Sequence, residues 1–132
     1  MKRFFLLVVA VVVVLLGLTT APAYAFNQAS LTKLQSTNQC KDCDLSEAAL
    51  TGANLMGADL ERANLTGADL TGANLTGADL EKANLGIANL SEANLSGADL
   101  EKANLTGANL TGTNLTNASL EKATMPDGSK HA

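Results

Sequence analysis

Leucine returns every five residues along most of the chain, and the residues between are mainly small or polar. From Cys43 to Lys122, sixteen successive five-residue units keep Leu at the centre, often as Ala-Asn-Leu-Thr-Gly. This period fits neither an α-helix, on which successive Leu would circle the axis, nor a straight strand, on which they would alternate between faces. Within a unit, Ala and Leu are two residues apart, so an extended segment directs both inward. The pattern predicts short strands separated by bends at pairs such as Thr-Gly, where Gly tolerates positive φ.

A second period of twenty residues lies over the first. The sequence ADLER begins at Ala58, ADLEK begins at Ala78 and Ala98, and ASLEK begins at Ala118. If four units make one coil, these segments lie directly above one another, and successive coils pair as parallel strands about 4.8 Å apart. Each coil then contacts its neighbours, as in other repeat proteins. We therefore expect an all-β solenoid of about four coils at 40–127, with a narrow interior that holds no cofactor or metal.

The tandem of Ala-Asn-Leu and Ala-Asp-Leu units resembles the pentapeptide repeat proteins. This resemblance implies that the solenoid is a right-handed quadrilateral parallel β-helix. The segment from Cys40 to Leu45, CKDCDL, with Leu31 and Leu34 before it, is also similar to exported cyanobacterial members. Those proteins carry a short helix before the first coil. The resemblance implies a location in the thylakoid lumen or the periplasm.

Residues 1–25 have the features of a cleaved signal peptide. Two basic residues precede an apolar run at 4–18, and an A-x-A cleavage site ends at Ala25. The run is shorter than the roughly 20 residues of a membrane span, so we expect cleavage rather than an uncleaved anchor, and no membrane association afterwards. Residues 26–132 then keep seven basic and thirteen acidic side chains, a net charge of −6. This charge disfavours nucleic acid as a partner, because phosphate contacts need a basic surface.

The segment 26–39 is expected to carry a capping helix. The helix would run from Asn27, as its N-cap, to about Ser36, and its apolar side chains, Leu31 and Leu34 among them, would pack on the first coil. A disordered leader is the alternative.

The C-terminal end of the repeat is expected to be open. Pro126-Asp127-Gly128 breaks the pattern, and residues 128–132 are predicted to be a disordered tail. An uncovered coil edge can pair with another chain, so a homodimer through the last coil is a candidate arrangement.

Cys40 and Cys43 are the two cysteines of the chain, and both fall in inward-facing register. A disulfide that links them suits an oxidising compartment. Two buried thiols in the core and a redox-active C-x-x-C are the alternatives, and the last lacks the βαβ context of such motifs. Zinc is disfavoured because two further ligands are missing and the single His131 lies in the tail.

One face of the predicted solenoid concentrates charge in three columns. This candidate interaction face consists of Asp59, Asp79 and Asp99, then Glu61, Glu81, Glu101 and Glu121, then Arg62, Lys82, Lys102 and Lys122. Like charges stacked at strand spacing repel, and the neighbouring basic column offsets part of that repulsion. The face is therefore either a solvated surface that keeps the rod soluble or a docking site for a partner. A calcium site on the acidic columns is a weaker alternative, since the basic column opposes it.

Three functional classes fit these features to different degrees. We expect a non-enzymatic, exported scaffold or protein-interaction module, because no cleft is present to desolvate a catalytic pair. The resemblance also raises a DNA-mimic inhibitor of a topoisomerase as an alternative; export and the basic column oppose it. An ice-binding solenoid is weaker still, because the Thr columns are interrupted by Met56, Ser91 and Ser96.

Overall fold

The computed structural model of the protein describes the backbone of residues 22–132 and the side chains from residue 28 onward. This part contains one helix, α1 (Pro22–Thr37), followed by backbone paired through single-residue β-bridges rather than longer strands. No helix in the described residues is both long enough and apolar enough to cross a membrane. The apolar run at 4–18 lies outside the described residues, and so does most of the predicted signal peptide.

The repeat winds into a coil with four sides. Nearly every bridge is parallel and joins residues twenty apart, as Asp59 pairs with Asp79 and Asp79 with Asp99. Hydrogen bonds run both ways between successive turns: Leu60 N–H donates to the Asp79 carbonyl at 2.8 Å, and Asp79 N–H donates to the Ala58 carbonyl at 2.9 Å. One turn therefore takes four five-residue units, in the register that the sequence predicts.

The four sides are defined by the residues that form their bridges. The bridging residues in the middle of the rod are Asp59, Asp79 and Asp99 on side 1, Asn64, Asn84 and Asn104 on side 2, Asp69, Asn89 and Asn109 on side 3, and Asn54, Asn74 and Asn94 on side 4. Columns of equivalent side chains run along each side, because every residue lies above the one twenty positions earlier.

Each corner between sides is a tight turn that follows Leu. The Leu60 carbonyl accepts a hydrogen bond from Ala63 N–H at 2.9 Å, which closes the turn. The second turn residue has positive φ, and it is commonly Gly, as at Gly67, where φ is 68°. Arg62 and Lys82 occupy the same position with φ of 56° and 59°, so the coil also forces ordinary L-residues into this region.

Columns of Leu and Ala fill the interior. The central leucines from Leu60 to Leu105 have no exposed surface, and the alanines two residues before them are equally buried. Towards the C-terminus Leu110, Leu115 and Leu120 are partly buried, because no further coil lies on them. Since burial of a Leu side chain stabilises a fold by about 1.5–3 kcal/mol, the centre of the rod holds most of its hydrophobic stabilisation.

Helix α1 begins earlier than the sequence predicts. It starts at Pro22 rather than after an N-cap at Asn27, which agrees with the preference of Pro for the first turn, where its missing N–H costs nothing. The predicted cleavage site at Ala25 lies inside this helix. Leu34 is buried against the first coil and Leu31 is partly buried there.

The helix ends at Thr37, and Asn38 after it has φ of 57° and acts as the left-handed residue that commonly follows a helix. Its amide Nδ2 donates to the Met56 carbonyl at 2.9 Å. This bond ties the end of the helix to the first coil.

The tail is ordered in the structure, contrary to the prediction that 128–132 is disordered. After Pro126 the chain reverses, and Lys130 forms an antiparallel bridge with Thr124. His131 N–H donates to the Ala123 carbonyl at 2.8 Å, and Lys130 Nζ donates to Thr124 Oγ1 at 2.6 Å. The tail satisfies backbone groups on part of the last coil that would otherwise stay unpaired.

Candidate functional site

The two cysteines lie together where the helix meets the first coil. Cys40 and Cys43 are joined by a disulfide, with their Cα atoms 5.1 Å apart. Cys40 is fully buried, and its sulfur lies 3.2 Å from the Ser30 carbonyl of helix α1. Cys43 is partly buried against the core. The bond closes a short loop at the start of the solenoid, and the described residues contain no free thiol.

Side 1 carries the three charged columns that the sequence predicts. Within a coil each lysine contacts the glutamate before it: Lys82 Nζ lies 2.6 Å from Glu81 Oε1, and Lys122 Nζ lies 2.7 Å from Glu121 Oε1. Lys102 pairs with Glu101 in the same way. The acidic and basic columns therefore neutralise each other by contacts within each turn.

At the N-terminal end of side 1 the ion pairs also cross between coils. Arg62 donates from Nε and Nη2 to the two carboxylate oxygens of Asp42, at 2.7 and 2.8 Å, and from Nη1 to Glu61 at 2.8 Å. Lys41 reaches Glu61 from the preceding coil. A guanidinium bound in this two-pronged way holds a fixed orientation.

The ion pairs shift the pKa values of their members in the expected directions. The hydrogen bond from Arg62 lowers the pKa of Asp42, and the hydrogen bond from Lys82 lowers the pKa of Glu81. The hydrogen bond to Glu101 raises the pKa of Lys102. All these groups stay charged near neutral pH, so side 1 is a surface of fixed charges rather than an acid–base pair.

The basic residues of the coils are confined to side 1. Every Lys and Arg between residues 41 and 122 lies there. The other sides carry acidic residues and no basic residue of the coils, and these acidic residues are Asp44, Glu47, Asp69, Glu92 and Asp127. Among the described residues none of these five forms an ion pair. This segregation follows from the twenty-residue register and is hard to see in the linear sequence.

Three acidic groups on side 1 lie close enough to share a cation. Oxygens of Asp59, Glu61 and Asp79 lie within 4.8 Å of one another, and all three residues are partly buried. Glu61 already accepts from Lys41 and Arg62, so its carboxylate is compensated by protein cations. The arrangement is that of a charge network, and the calcium alternative gains no support from it.

A cavity of about 310 Å³ lies beside the end of helix α1. Its lining includes Leu34, Asn38, Leu50, Asn54 and Leu55. The repeat pattern does not predict this cavity, because helix α1 forms part of its wall. Mixed polar and apolar walls without a titratable cluster make it a surface recess rather than a catalytic cleft.

The sequence matches the family model of pentapeptide repeats at residues 43–81 and 88–125, in eight copies. The chain belongs to the pentapeptide repeat family. Members of this family fold as right-handed quadrilateral β-helices, and they are generally non-catalytic structural scaffolds. No protein of curated function matches the sequence.

Solved structures of the same family are similar to this chain. A pentapeptide repeat protein from the cyanobacterium Cyanothece is 29% identical, with a TM-score of 0.62, over 80% of this chain and 99% of its own. HetL, which is involved in heterocyst differentiation regulation in the cyanobacterium Nostoc, is 40% identical over 70% of this chain and 51% of its own, with a TM-score of 0.43. This chain thus spans about half the length of HetL.

A third similar structure comes from a thylakoid lumen. This pentapeptide repeat protein of Arabidopsis thaliana is 32% identical over 74% of this chain and 72% of its own, with a TM-score of 0.41. The family match and the Cyanothece structure confirm the resemblance to pentapeptide repeat proteins that the sequence indicates.

Proposed function

We propose that the mature protein is an exported, non-enzymatic scaffold that binds a protein partner through side 1. The observation that carries this proposal is the fixed array of charged columns, in which the basic residue of each coil contacts a carboxylate of the same coil at Arg62, Lys82, Lys102 and Lys122. The Asp59, Asp79 and Asp99 column beside the array forms no ion pair in the described residues. A partner with a row of basic groups at the coil spacing of about 4.8 Å would match this column.

Rigidity is what makes such a surface useful for recognition. Side chains held by local contacts lose little further entropy on binding, so less of the interaction energy is spent on ordering them. Helix α1 is proposed to cap the N-terminal end, because Leu34 covers core surface there and protects an edge that could otherwise pair with other chains.

A charge-removal experiment tests the docking face. Mature protein serves as bait for crosslinking in the exported fraction of the native cell, beside a variant with Glu81→Gln and Glu101→Gln. A matched control, Thr76→Lys with Ser96→Lys, makes the same change in net charge on side 4. Loss of a partner with the side 1 variant and retention with the control supports the proposal. Equal capture by all three baits excludes the Glu column of side 1 from the docking face.

Export is proposed from the signal-peptide pattern at 1–25. Mature protein isolated from the native cell should begin at Phe26 when its N-terminus is sequenced. A mature form that begins at Met1 and occurs in the cytosol would remove this part of the proposal and would strengthen the DNA-mimic alternative.

Self-association is a second candidate, favoured by the C-terminal edge on sides 3 and 4. The N–H groups of Leu110, Gly112 and Leu115 have no hydrogen-bond acceptor among the described residues, whereas Leu90 and Leu95 in the coil before donate to Asn109 and Asn114 at 2.9 and 2.8 Å. Unpaired donors on a sheet edge are a template for a second chain. Light scattering tests this by measuring the molar mass of a variant with Thr111→Lys and Thr116→Lys at the C-terminal edge. The control carries Thr71→Lys and Thr76→Lys in the middle of the rod. If the edge pairs with a second chain, only the first variant is monomeric.

The ice-binding alternative gains nothing from the geometry. On side 3 the hydroxyl of Thr71 donates to Asp69 at 2.6 Å, so it is already engaged within the coil. The column continues as Ser91, and Met56 interrupts the one on side 4.

A further inference from the structure

One unit of the repeat departs from all its neighbours. At the corner between sides 2 and 3, the coils directly before and after this unit place Thr first and Gly second, in Thr66-Gly67 and Thr106-Gly107, while the end coils have Ser46-Glu47 and Pro126-Asp127. The coil between them has Gly86-Ile87. The two stretches that match the family model stop at 81 and resume at 88, so the departure lies in the interval that the family pattern omits.

The departure places an apolar side chain where it is exposed to solvent and where its backbone is strained. Ile87 is 69% exposed, and its φ is 51°. A β-branched residue is a genuine outlier in this region, and strain of this kind persists where the surrounding structure imposes it, often at functional sites. Gly in the same place would remove both the exposure and the strain. The Ile87 side chain lies outside the core, and the hydrogen bond that Ile87 N–H donates to the Thr106 carbonyl at 2.8 Å would also form with Gly.

The Ile87 side chain lies next to the glycines at the same corner position in the coils before and after it. A Cβ built on Gly107 would lie 3.2 Å from Ile87 Cγ2, and one built on Gly67 would lie 3.9 Å from Ile87 Cδ1 and 3.4 Å from Glu47 Cγ. The side chains of Glu47 and Ile87 therefore approach each other over Gly67. On the C-terminal side of Ile87, the same column continues with Gly107 and then Asp127.

The charged residues that the coils place around Ile87 are acidic, and the tail adds one basic residue on side 2, Lys130, whose Nζ donates to Thr124 Oγ1 at 2.6 Å. Glu47 and Asp127 lie in the same corner column, each two coils away, about 10 Å by the strand spacing. Asp69 and Glu92 are the charged residues of side 3. None of the four pairs with a basic residue in the described chain, and all the basic residues of the coils lie on side 1.

We infer that the corner around Ile87 is a second docking surface, whose partner is a protein segment with an apolar socket bordered by Lys or Arg. Ile87 is the anchor that enters the socket, and Glu47, Asp69 and Asp127 face the basic border. Anchors of this kind, set in a ring of weaker polar contacts, carry most of the energy of protein interfaces, and complementary charge sets their orientation. The inference rests on the proposed role as an interaction module but not on side 1.

The test replaces Gly86-Ile87 by the Thr-Gly pair that the adjacent coils carry at this corner. The swap variant carries Gly86→Thr and Ile87→Gly, and Met56→Thr is the matched control, because Met56 is the other large apolar side chain exposed in the described residues, at 56%. Random peptides displayed on phage are selected on the full mature chain and counter-selected on the swap variant. Peptides that combine an apolar or aromatic residue with Lys or Arg are expected.

The expected result has two parts. Selected peptides bind wild type and the Met56→Thr control equally, and the swap weakens binding about 30-fold, the loss typical of an anchor side chain. The thermal midpoint of the swap variant rises, because strain is removed. No survivors of counter-selection, or survivors without basic residues, would overturn the inference. A lowered midpoint would do so as well, since Ile87 would then act in the fold.

The outcome separates this surface from side 1. Peptides that depend on Ile87 must still bind the Glu81→Gln, Glu101→Gln variant, because those residues lie on another side. If the crosslinking bait finds no partner but the peptides behave as expected, side 1 fails and the Ile87 surface stands. If crosslinking finds a partner that depends on side 1 but the peptides do not depend on Ile87, side 1 stands as the docking face and the inference about Ile87 fails.

Discussion

At the scale of single residues, the bridging Asn or Asp of a unit accepts the same hydrogen bond from its turn whichever it is. Its Oδ1 accepts a hydrogen bond from the N–H two residues later, as Asn74 accepts from Thr76 at 3.1 Å and Asp69 accepts from Thr71 at 3.1 Å. Side chains of this type commonly bond to the backbone two residues on. The choice between amide and acid therefore leaves this turn hydrogen bond unchanged and decides the surface charge, although an amide can also donate to the coil before it, as Asn104 Nδ2 donates to Asn84 Oδ1 at 3.2 Å.

This equivalence makes a pH prediction for Asp69. The hydrogen bond from the Thr71 hydroxyl lowers the pKa of Asp69, so its folded pKa lies below the unfolded value of about 3.9. The stabilisation from Asp69 is thus present above about pH 4 and is lost as pH falls through the folded pKa. Asp69→Asn should keep the neutral-pH midpoint nearly unchanged and lose less stability on acidification, measured by thermal unfolding between neutral and acid pH.

The reverse change in the same column is the control. Asn89→Asp should gain acid sensitivity, because Asn89 accepts from Ser91 N–H at 3.1 Å and from its hydroxyl at 2.7 Å, as Asp69 does from Thr71. Identical acid profiles for wild type and both variants would show that these side chains do not bond their turns in the folded state.

At the scale of the coil, stability should depend on how many neighbours a coil has. Leu75→Ala removes a fully buried side chain, and a loss of about 2–5 kcal/mol in the free energy of unfolding is typical of such changes. Leu115→Ala in the same column should cost less than about half as much, since Leu115 is only partly buried at the open end and repeat stability is the sum of coil and interface contributions. Denaturant unfolding measures both; equal losses would contradict a stacked column with an open end.

The elements differ in how well the sequence predicts them. The period of five and the return after twenty predict the strands, corners and register, because inward Ala and Leu and tolerance of positive φ are local requirements. The start of α1 at Pro22 was missed, since Asn27 looks like an N-cap and Pro at a first turn is a weaker signal. The order of the tail depends on contacts such as Lys130 with Thr124, which no local pattern encodes.

The candidate sites show the same limit. The columns of side 1 follow from counting, and so does the inward register of Cys40 and Cys43. The sequence shows that Gly86-Ile87 places Gly first, where the adjacent coils place it second. That Ile87 is exposed and has positive φ can be read only from the structure. The cavity beside Asn38 arises from the docking of α1, which is a tertiary event.

At the scale of the whole molecule, one side of the rod holds nearly all the opposing charges, and this arrangement predicts a salt-dependent effect. Replacing Lys82 and Lys102 by Glu converts the contacts with Glu81 and Glu101 into repulsions and extends the acidic columns along the rod. The interior does not change, so the far-ultraviolet circular dichroism spectrum should match that of wild type, while the thermal midpoint falls modestly.

The cause can be separated from lost packing by salt and by a neutral variant. At about 1 M salt the screening length is about 3 Å, so most of the lost midpoint should return. Lys82→Gln with Lys102→Gln, which removes the pairs without adding charge, should fall between wild type and the double Glu variant at low salt. Complete unfolding of the Glu variant would mean that residues 82 and 102 face the interior. A deficit that persists in high salt would mean that the lysine stems, rather than their charges, support the coil.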